Sequence, residues 1–346
     1  MSEQPLISII IPHRYGREIL FRCLTSIFEN GYSPFEIILV DNASTDGSVE
    51  AAVEAFSGLR VVRAGWNRGY AGGCNYGSLF ARGDFLLFFN NDAVLAAQAL
   101  QRLVEAIQRK PDIAAVQPKI LSLSEPQRFD YAGAAGGMID VFGFPFARGR
   151  LFDTLETDTG QYDQACDIFW ASGACCLIRR DVWENLGGFD EVFFAHMEEI
   201  DLNWRMHLAS YRVVFEPGAV VYHEAGSTLA SDSPHKLYLN HRNNLLMLLK
   251  NLSLARLLWI LPARLLLDLG ALLYALARGR ISHALAILRA LAAVPLFTAH
   301  ILRARRQVRR LRRVDDRSVA QKMYRGSAVL QYFVFGRKTY GSLAGA

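Results

Sequence analysis

The chain has 346 residues, 51% of them hydrophobic and 21% charged, which excludes an intrinsically disordered protein and leaves room for one large domain or two ordinary ones. Its net charge of +5 conceals a division: residues 1–235 carry 18 Lys and Arg against 30 Asp and Glu, and residues 236–346 carry 20 against 3. An acidic half suits a cation-assisted site, and a basic half suits an anionic partner. The five cysteines (Cys23, Cys74, Cys166, Cys175 and Cys176) include no C-x-x-C pair, which argues against a zinc site or a disulfide framework and for reduced thiols in a cytosolic setting.

Near the N-terminus the apolar run Leu6–Pro12 is too short for a signal-peptide core and reads as a first strand. Leu6–Ile11, Phe35–Val40, Leu59–Val62, Phe85–Phe89 and Ile113–Gln117 follow one another as runs of strand length. Between them, Arg17–Asn30, Gly47–Phe56, Ala71–Ala81 and Ala93–Arg109 repeat apolar residues near the helical period. Strand, helix, strand in repetition predicts an α/β fold, a doubly wound and mainly parallel sheet with helices on both faces. Residues 121–165, rich in Gly, Pro and aromatics, read as an excursion of loops with a hairpin. Regular patterning resumes at Ile168–Ile178, then helices at Asp181–Asn185 and Met197–Ala209 and a strand at Arg212–Phe215.

From about Pro234 the chain becomes helical, leucine-rich and dotted with Arg and His. This predicts two parts, residues 1–235 as the α/β domain and residues 236–346 as an all-helical region. The longest stretch of that region free of Asp, Glu, Lys and Arg is Ala290–Leu302, thirteen residues with Pro295 among them. A spanning helix needs about twenty apolar residues, so no transmembrane segment is expected. Basic residues interrupting apolar helices fit helices lying in a membrane interface with arginines snorkelling to phosphates. A helical bundle or a homo-oligomer interface is the alternative. The segment "RARRQVRRLRR", with seven arginines in eleven residues, favours anionic headgroups first and nucleic acid second.

The chemistry-bearing motifs lie in the acidic half. "LVDNASTDGS" puts Asp41 at the end of the second strand, where open α/β sheets bind ligands. A carboxylate there can accept a hydrogen bond from a pyrimidine N–H or a ribose hydroxyl. A dinucleotide-binding fingerprint would need G-x-G-x-x-G after the first strand, and "IPHRYGRE" has one glycine. "NRGYAGGCNYG", residues 67–77, is a Gly-rich loop opening a helix, able to approach a phosphate or merely to turn. "LLFFNND" ends an apolar strand on Asn90, Asn91 and Asp92, either a turn or a metal site. "MEEIDLNWR" places Glu198, Glu199 and Asp201 within four residues, a repulsion that raises carboxyl pKa values. Glu198 and Asp201 share a helix face, and Glu199 points about 100° away from Glu198.

In this order, with "GGFDEVFFAHMEEIDLNWR" and "PGAVVYH" closing the series, the motifs resemble family 2 glycosyltransferases of the GT-A fold, in the bacterial rhamnosyltransferase-like branch. The resemblance spans roughly residues 5–225 and is strongest over 186–223. It implies inverting transfer of a sugar from a nucleotide diphosphate donor with Mg²⁺ or Mn²⁺. "NND" then stands where the family carries its D-x-D metal motif, with Asp92 as the carboxylate ligand and Asn90 in place of the first Asp. The resemblance makes His223 a second metal ligand and Glu199 the general base, with Glu198 as second choice. It puts Pro12, Asp41, Asn67, Gly69, Gly73, Asn75, Asn91 and Asp92 on the nucleotide-sugar side and Asp201, Trp204 and Arg205 on the acceptor side. His13, His196 and His207 are left as structural or acceptor-side. The donor implied is dTDP-rhamnose, or another dTDP- or UDP-sugar. The acceptor implied is a glycan, lipid-linked, for envelope polysaccharide, with the protein peripheral to the inner face of the cell membrane. A polyprenyl-phosphate glycosyltransferase is the alternative. A nucleic-acid-binding protein using the Arg-rich segment leaves the acidic motifs unexplained, so no nucleic acid is expected.

Overall fold

The first four apolar runs do pair in parallel. The computed structural model describes residues 4–224 and 233–344. In it β1 (Ile7–His13), β2 (Phe35–Asp41), β3 (Leu59–Arg63) and β4 (Phe85–Phe89) lie side by side, with β1 between β2 and β4. The connecting helices α1 (Arg17–Phe28), α2 (Ser48–Ala55) and α3 (Gly69–Ser78) divide between the two faces. Alternation along β1 shows why: Ile7, Ile9 and Ile11 pack with α1 and α2, while Ile10 packs with Ala71 and Cys74 of α3. Every one of these positions is fully buried, so the period of two serves both cores.

The expected helix Ala93–Arg109 is divided. Ala93–Leu95 forms a short strand, β5, and the helix α4 (Ala99–Gln108) begins later. β5 pairs with the far end of a strand about 130 residues onward, Ala93 opposite His223, a long-range pairing that local periodicity cannot register. The sheet continues through β6 (Ile113–Ser122). Residues 137–155, inside the expected loop excursion, form a small antiparallel sheet of β7 (Gly137–Ile139), β8 (Pro145–Ala147), β9 (Arg150–Leu151) and β10 (Thr154–Leu155). β11 (Cys166–Ile168) and β12 (Cys175–Arg179) then return to the main sheet, before α5 (Arg180–Leu186) and α6 (Glu198–Leu208). β13 (Arg212–His223) runs well past the expected Phe215, parallel to β6, with its register shifting between Glu216 and Val220. The order β11-β13-β6-β12-β4-β1-β2-β3, with β12 antiparallel, brings the carboxyl ends of β1, β2, β4 and β13 to one edge.

The helical region is α7 (Pro234–Asn251), α8 (Leu254–Ala277), α9 (Ile281–Ala293) and, after a 3₁₀ turn, α10 (Thr298–Leu311). Three expectations change here. The boundary at 235/236 falls inside the first turn of α7, and α7 packs on α6 through Trp204, Leu208, Leu246 and Met247. Leu254–Ala277 and Ile281–Leu311 are long and apolar enough to cross a membrane by length and composition, with mean hydropathy 1.7 and 1.9. The charge-free count had excluded them because scattered arginines interrupt each run. Not all of those charges snorkel: Arg264 and Asp268 of α8 are buried, ion-paired at 3.0 Å, and Asp268 also accepts from His241 of α7 at 2.9 Å. These charges pin α8 to α7 from inside.

Candidate active site

The strand ends that meet at one edge carry the residues singled out above. At the end of β4, Asp92 is buried and its Oδ1 lies 3.1 Å from Nε2 of His223, the last residue of β13. Nδ1 of His223 donates to Asp130 at 2.9 Å, and the Asn90 amide is 3.3 Å from Nε2. Burial alone would lower the His223 pKa, but Asp130 and Asp92 overcome it and raise the imidazole to about 10.

This donor set fits a divalent cation. The imidazolium donates Nδ1–H to Asp130 and Nε2–H to Asp92; a divalent cation would take the place of the Nε2 proton while Asp130 keeps Nδ1–H, the carboxylate–histidine arrangement that supports bound metals. Two adjacent ligands at the distances Mg²⁺ requires stand about 3 Å apart, matching the 3.1 Å separation observed. Among the described residues no group of three or more His, Cys, Asp or Glu side chains gathers for a metal. A cation here would therefore lean on substrate phosphates and water, as Mg²⁺ commonly does.

On the β1–β2 side, Asp41 accepts from the Ser44 amide (2.8 Å) and pairs with Arg63 (3.0 Å). Two of its roughly four acceptor positions are used, so it can still receive a donor group. Asn91 donates to Nδ1 of His13 at 2.8 Å, which directs Nε2–H to Ser48 Oγ at 2.7 Å. His13 therefore belongs to this side of the site, and burial keeps its pKa below the ordinary value. Pro12 lies against Gly73, where an added Cβ would stand 3.2 Å from the proline ring.

The Gly-rich loop differs from its expectation. Gly69 has φ +68°, and a Cβ there would fall 2.4 Å from the Phe194 carbonyl. At Gly77 a Cβ would meet Ile10 and Val40 at 2.6 and 2.7 Å. These glycines let α3 approach the sheet and the loop before α6, a packing need. Asn67 caps the Gly69 amide (3.0 Å). Asn75 is spent on the protein: it bonds the Phe189 amide and carbonyl (both 2.9 Å) and Glu191 (3.0 Å). Asn42, which sequence reasoning passed over, ties the end of β2 to this loop through Arg68 N (2.7 Å) and Gly69 O (3.0 Å).

The acidic motif opens α6 after three residues with positive φ, Phe194 (64°), His196 (68°) and Met197 (73°). Glu198 is buried, and Glu199 keeps part of its surface open. One carboxylate oxygen of each is buried without a hydrogen-bond partner among the described residues. Burial, then mutual repulsion, holds Glu198 well above the ordinary range. Burial raises Glu199 to about 7, moderated by backbone amides and by the Arg150 charge. On top of burial, the charge of Glu198 raises the Cys74 thiol, that of Glu199 raises the Cys176 thiol, and both raise the Tyr70 hydroxyl.

The three residues expected on the acceptor side lie inside the protein. Asp201 accepts from Arg205 (2.9 Å), Lys250 (2.9 Å) and Asn251 (2.8 Å), and Arg205 donates to the Leu186 and Gly188 carbonyls. Trp204 is 1% exposed. Their pattern matches α6 because they anchor it to α7 and to the preceding loop. Asn243 of α7 adds a clamp: its amide donates to the carbonyls of Phe193, Ala195 and His196 at 2.9, 2.9 and 2.8 Å. It holds the turn that aims both glutamates. Asn243→Ala should lower turnover and cost about 1–3 kcal/mol of stability. Asn243→Asp, which faces acceptors with an acceptor, should be worse on both counts. Calorimetry and turnover of the two variants check this, and wild-type behaviour in Asn243→Asp would refute the clamp.

A mainly parallel sheet whose edge brings together the Asp92–His223 pair and Asp41, with Glu198 and Glu199 opening α6, has the GT-A fold of glycosyltransferases. Solved structures agree on the fold. A mannosyltransferase from Pyrobaculum calidifontis aligns with TM-score 0.51 at 18% identity over 93% of this chain and 88% of its own. GalNAc-T7 aligns with TM-score 0.56 at 16% identity over 72% of this chain and 48% of its own. The profile of Glycosyl transferase family 2 matches residues 8–187, and the chain belongs to that family. It is 32% identical over 240 residues to the O-antigen biosynthesis protein RfbC of Myxococcus xanthus, covering 68% of this chain but 18% of that one. It is 29% identical over 247 residues to an N-acetylglucosaminyl-diphospho-decaprenol L-rhamnosyltransferase of Mycobacterium tuberculosis, covering 66% of this chain and 79% of that one. The chain is a glycosyltransferase.

Sequence reasoning also missed Asp130 and Arg150, which lie in the stretch read as loops. Neither sits in a motif, and their roles arise from partners 93 residues away for Asp130 and on α6 for Arg150.

Proposed function

We propose that this glycosyltransferase works with inversion and with a divalent cation, moving a sugar from a nucleotide diphosphate donor to a lipid-linked glycan. Rhamnose from dTDP-rhamnose is the leading donor, on the strength of the rhamnosyltransferase relative. The observation that supports the reading is Glu199, a partly exposed residue with one carboxylate oxygen buried and unpartnered among the described residues, and with its pKa raised by burial to about 7. Asp92 and His223 would hold Mg²⁺ or Mn²⁺. Mn²⁺ accompanies both structural neighbours. A bound cation supplies positive charge for the nucleoside diphosphate as it departs. Asp41 would receive the nucleobase or ribose, with Asn91 and His13 shaping that wall. Glu199 would take the proton of the acceptor hydroxyl as it attacks the anomeric carbon. Asp201 and Arg205 act behind it by fixing α6. Incubation with a panel of nucleotide sugars tests the reading through donor hydrolysis and transfer to a lipid-diphosphate sugar. Turnover of none of them would refute it.

The helical region supports a peripheral seat on the inner membrane face. Leu258 (80% exposed), Leu266 (69%) and Leu296 (83%) lead a set of exposed apolar residues on α8 and the following segments. Of the seven expected arginines, Arg305 and Arg312 are engaged with the carbonyls at the end of α7. Arg303, Arg306, Arg309, Arg310 and Arg313 stay exposed. Near an anionic surface each contributes about 1 kcal/mol, a contribution salt screens. Replacing those five with Gln should reduce sedimentation with phosphatidylglycerol vesicles in proportion to anionic content. Binding that ignores both the replacement and the salt would refute the electrostatic seat.

A further inference from the structure

Four arginines of the described residues are buried: Arg150, Arg205, Arg242 and Arg264. Three have their acceptors. Arg205 bonds Asp201 and two carbonyls, Arg242 bonds Val192 O and Asn243, and Arg264 bonds Asp268 and Asn244. Arg150, 7% exposed on β9, is the exception: its Nε is buried without a hydrogen-bond partner among the described residues. Its guanidinium stands 4.3 Å from the centroid of the Tyr131 ring. The ammonium of Lys236, in the first turn of α7, stands 4.8 Å from the same centroid.

A guanidinium with five N–H donors is costly to bury unless oxygens meet it. The Arg150 charge lowers the pKa of the Glu199 carboxyl, but no hydrogen bond joins the two, and Glu199 Oε2 has no partner among the described residues. The place is specific. Tyr131, the ring both cations share, follows Asp130, whose carboxylate holds Nδ1 of His223. Leu237, next to Lys236, packs into the α8–α9 contact, so this corner adjoins the apolar helices. His196, whose Nε2 is also buried and unpartnered among the described residues, feels the Lys236 charge.

We propose that Arg150 and Lys236, gathered over Tyr131 beside Glu199, form a seat for the diphosphate of a lipid-linked acceptor. This rests on the transferase reading. Planar guanidinium and mobile ammonium suit a diphosphate, the first as a two-pronged donor and the second as a point charge. With the diphosphate seated there, the attached sugar reaches toward Glu199 and the prenyl chain toward the apolar helices. The donor's diphosphate is the other source of the same chemistry.

The test measures calorimetric binding to the full-length protein with Mg²⁺, using inorganic pyrophosphate, farnesyl diphosphate, farnesol and dTDP. Arg150→Gln and Lys236→Gln should each weaken farnesyl diphosphate and pyrophosphate at least about tenfold, leaving farnesol and dTDP unchanged. Arg150→Lys should fall between. Lys236 is half-buried at a helix start, so its variant stays informative if Arg150→Gln unfolds, which a melting curve reports. Weakened dTDP with unchanged farnesyl diphosphate moves the seat to the donor and overturns the acceptor assignment. Unchanged binding of all four, or a wild type that binds neither diphosphate, overturns the seat itself. Failure of the transferase reading looks different: diphosphate binding stays sensitive to Arg150 while no nucleotide sugar is turned over.

Discussion

Glu199→Gln should lower turnover by about 10² or more while leaving nucleotide-sugar affinity nearly unchanged. Gln keeps the shape of the side chain and removes its capacity to accept a proton. Wild-type turnover should rise with pH through about 7, because the base must be ionised and its folded pKa lies there. That limb should be absent from the residual activity of the variant. Glu198 and Glu199 repel, so the limb belongs to the pair and not to one group. Stability runs the other way. A carboxyl whose folded pKa is raised from 4.5 to about 7 binds more protons folded than unfolded within that window. Stability therefore falls as pH rises across it. Glu199→Gln removes this loss and should melt higher than wild type at pH 8, the exchange of stability for function expected of a buried base. If Glu198→Gln shows the turnover loss instead, the roles within the pair are reversed.

Asp92→Asn should leave the fold intact and abolish nearly all transfer, since the amide keeps an oxygen but brings no charge to the cation. Chelation of the wild type should do the same, reversed by adding Mg²⁺ or Mn²⁺. Asp130→Asn removes no ligand, yet should weaken Mn²⁺ binding by roughly 10- to 100-fold, because the carboxylate no longer orients His223. Paramagnetic titration with Mn²⁺ reads both variants without an activity assay. Full activity in EDTA, or unaltered Mn²⁺ binding in Asp92→Asn, would defeat the metal assignment.

The acceptor-side expectation shows how a motif can be read correctly and used wrongly. Asp201, Trp204 and Arg205 stand out in "MEEIDLNWR" because their residue types are costly to bury without cause. The cause is anchorage: α7 supplies Lys250 and Asn251 to Asp201, from a segment that composition had separated into another domain. A truncation meant to test membrane binding must therefore spare α7. A cut at residue 236 would remove Asn243, Lys250 and Asn251, disturbing the glutamates themselves. The Gly-rich loop teaches the same lesson in reverse, since Gly69 and Gly77 answer to neighbouring backbone and side chains more than to a phosphate.

What the sequence determined by itself is whatever repeats locally or ends abruptly. Periods of two and 3.6 placed the parallel strands and most helices, polar residues closing apolar strands marked Asp41 and Asp92, and the family resemblance marked His223. The tertiary structure alone decided which residues meet. Asp130 beneath His223, Arg150 near Glu199, Asn243 on the turn before α6 and β5 against β13 all join positions from 47 to 130 residues apart. No local period encodes such a meeting. It follows from two hydrophobic faces closing on one sheet, and only then do the orphaned charges on its rim acquire partners or remain open for a substrate.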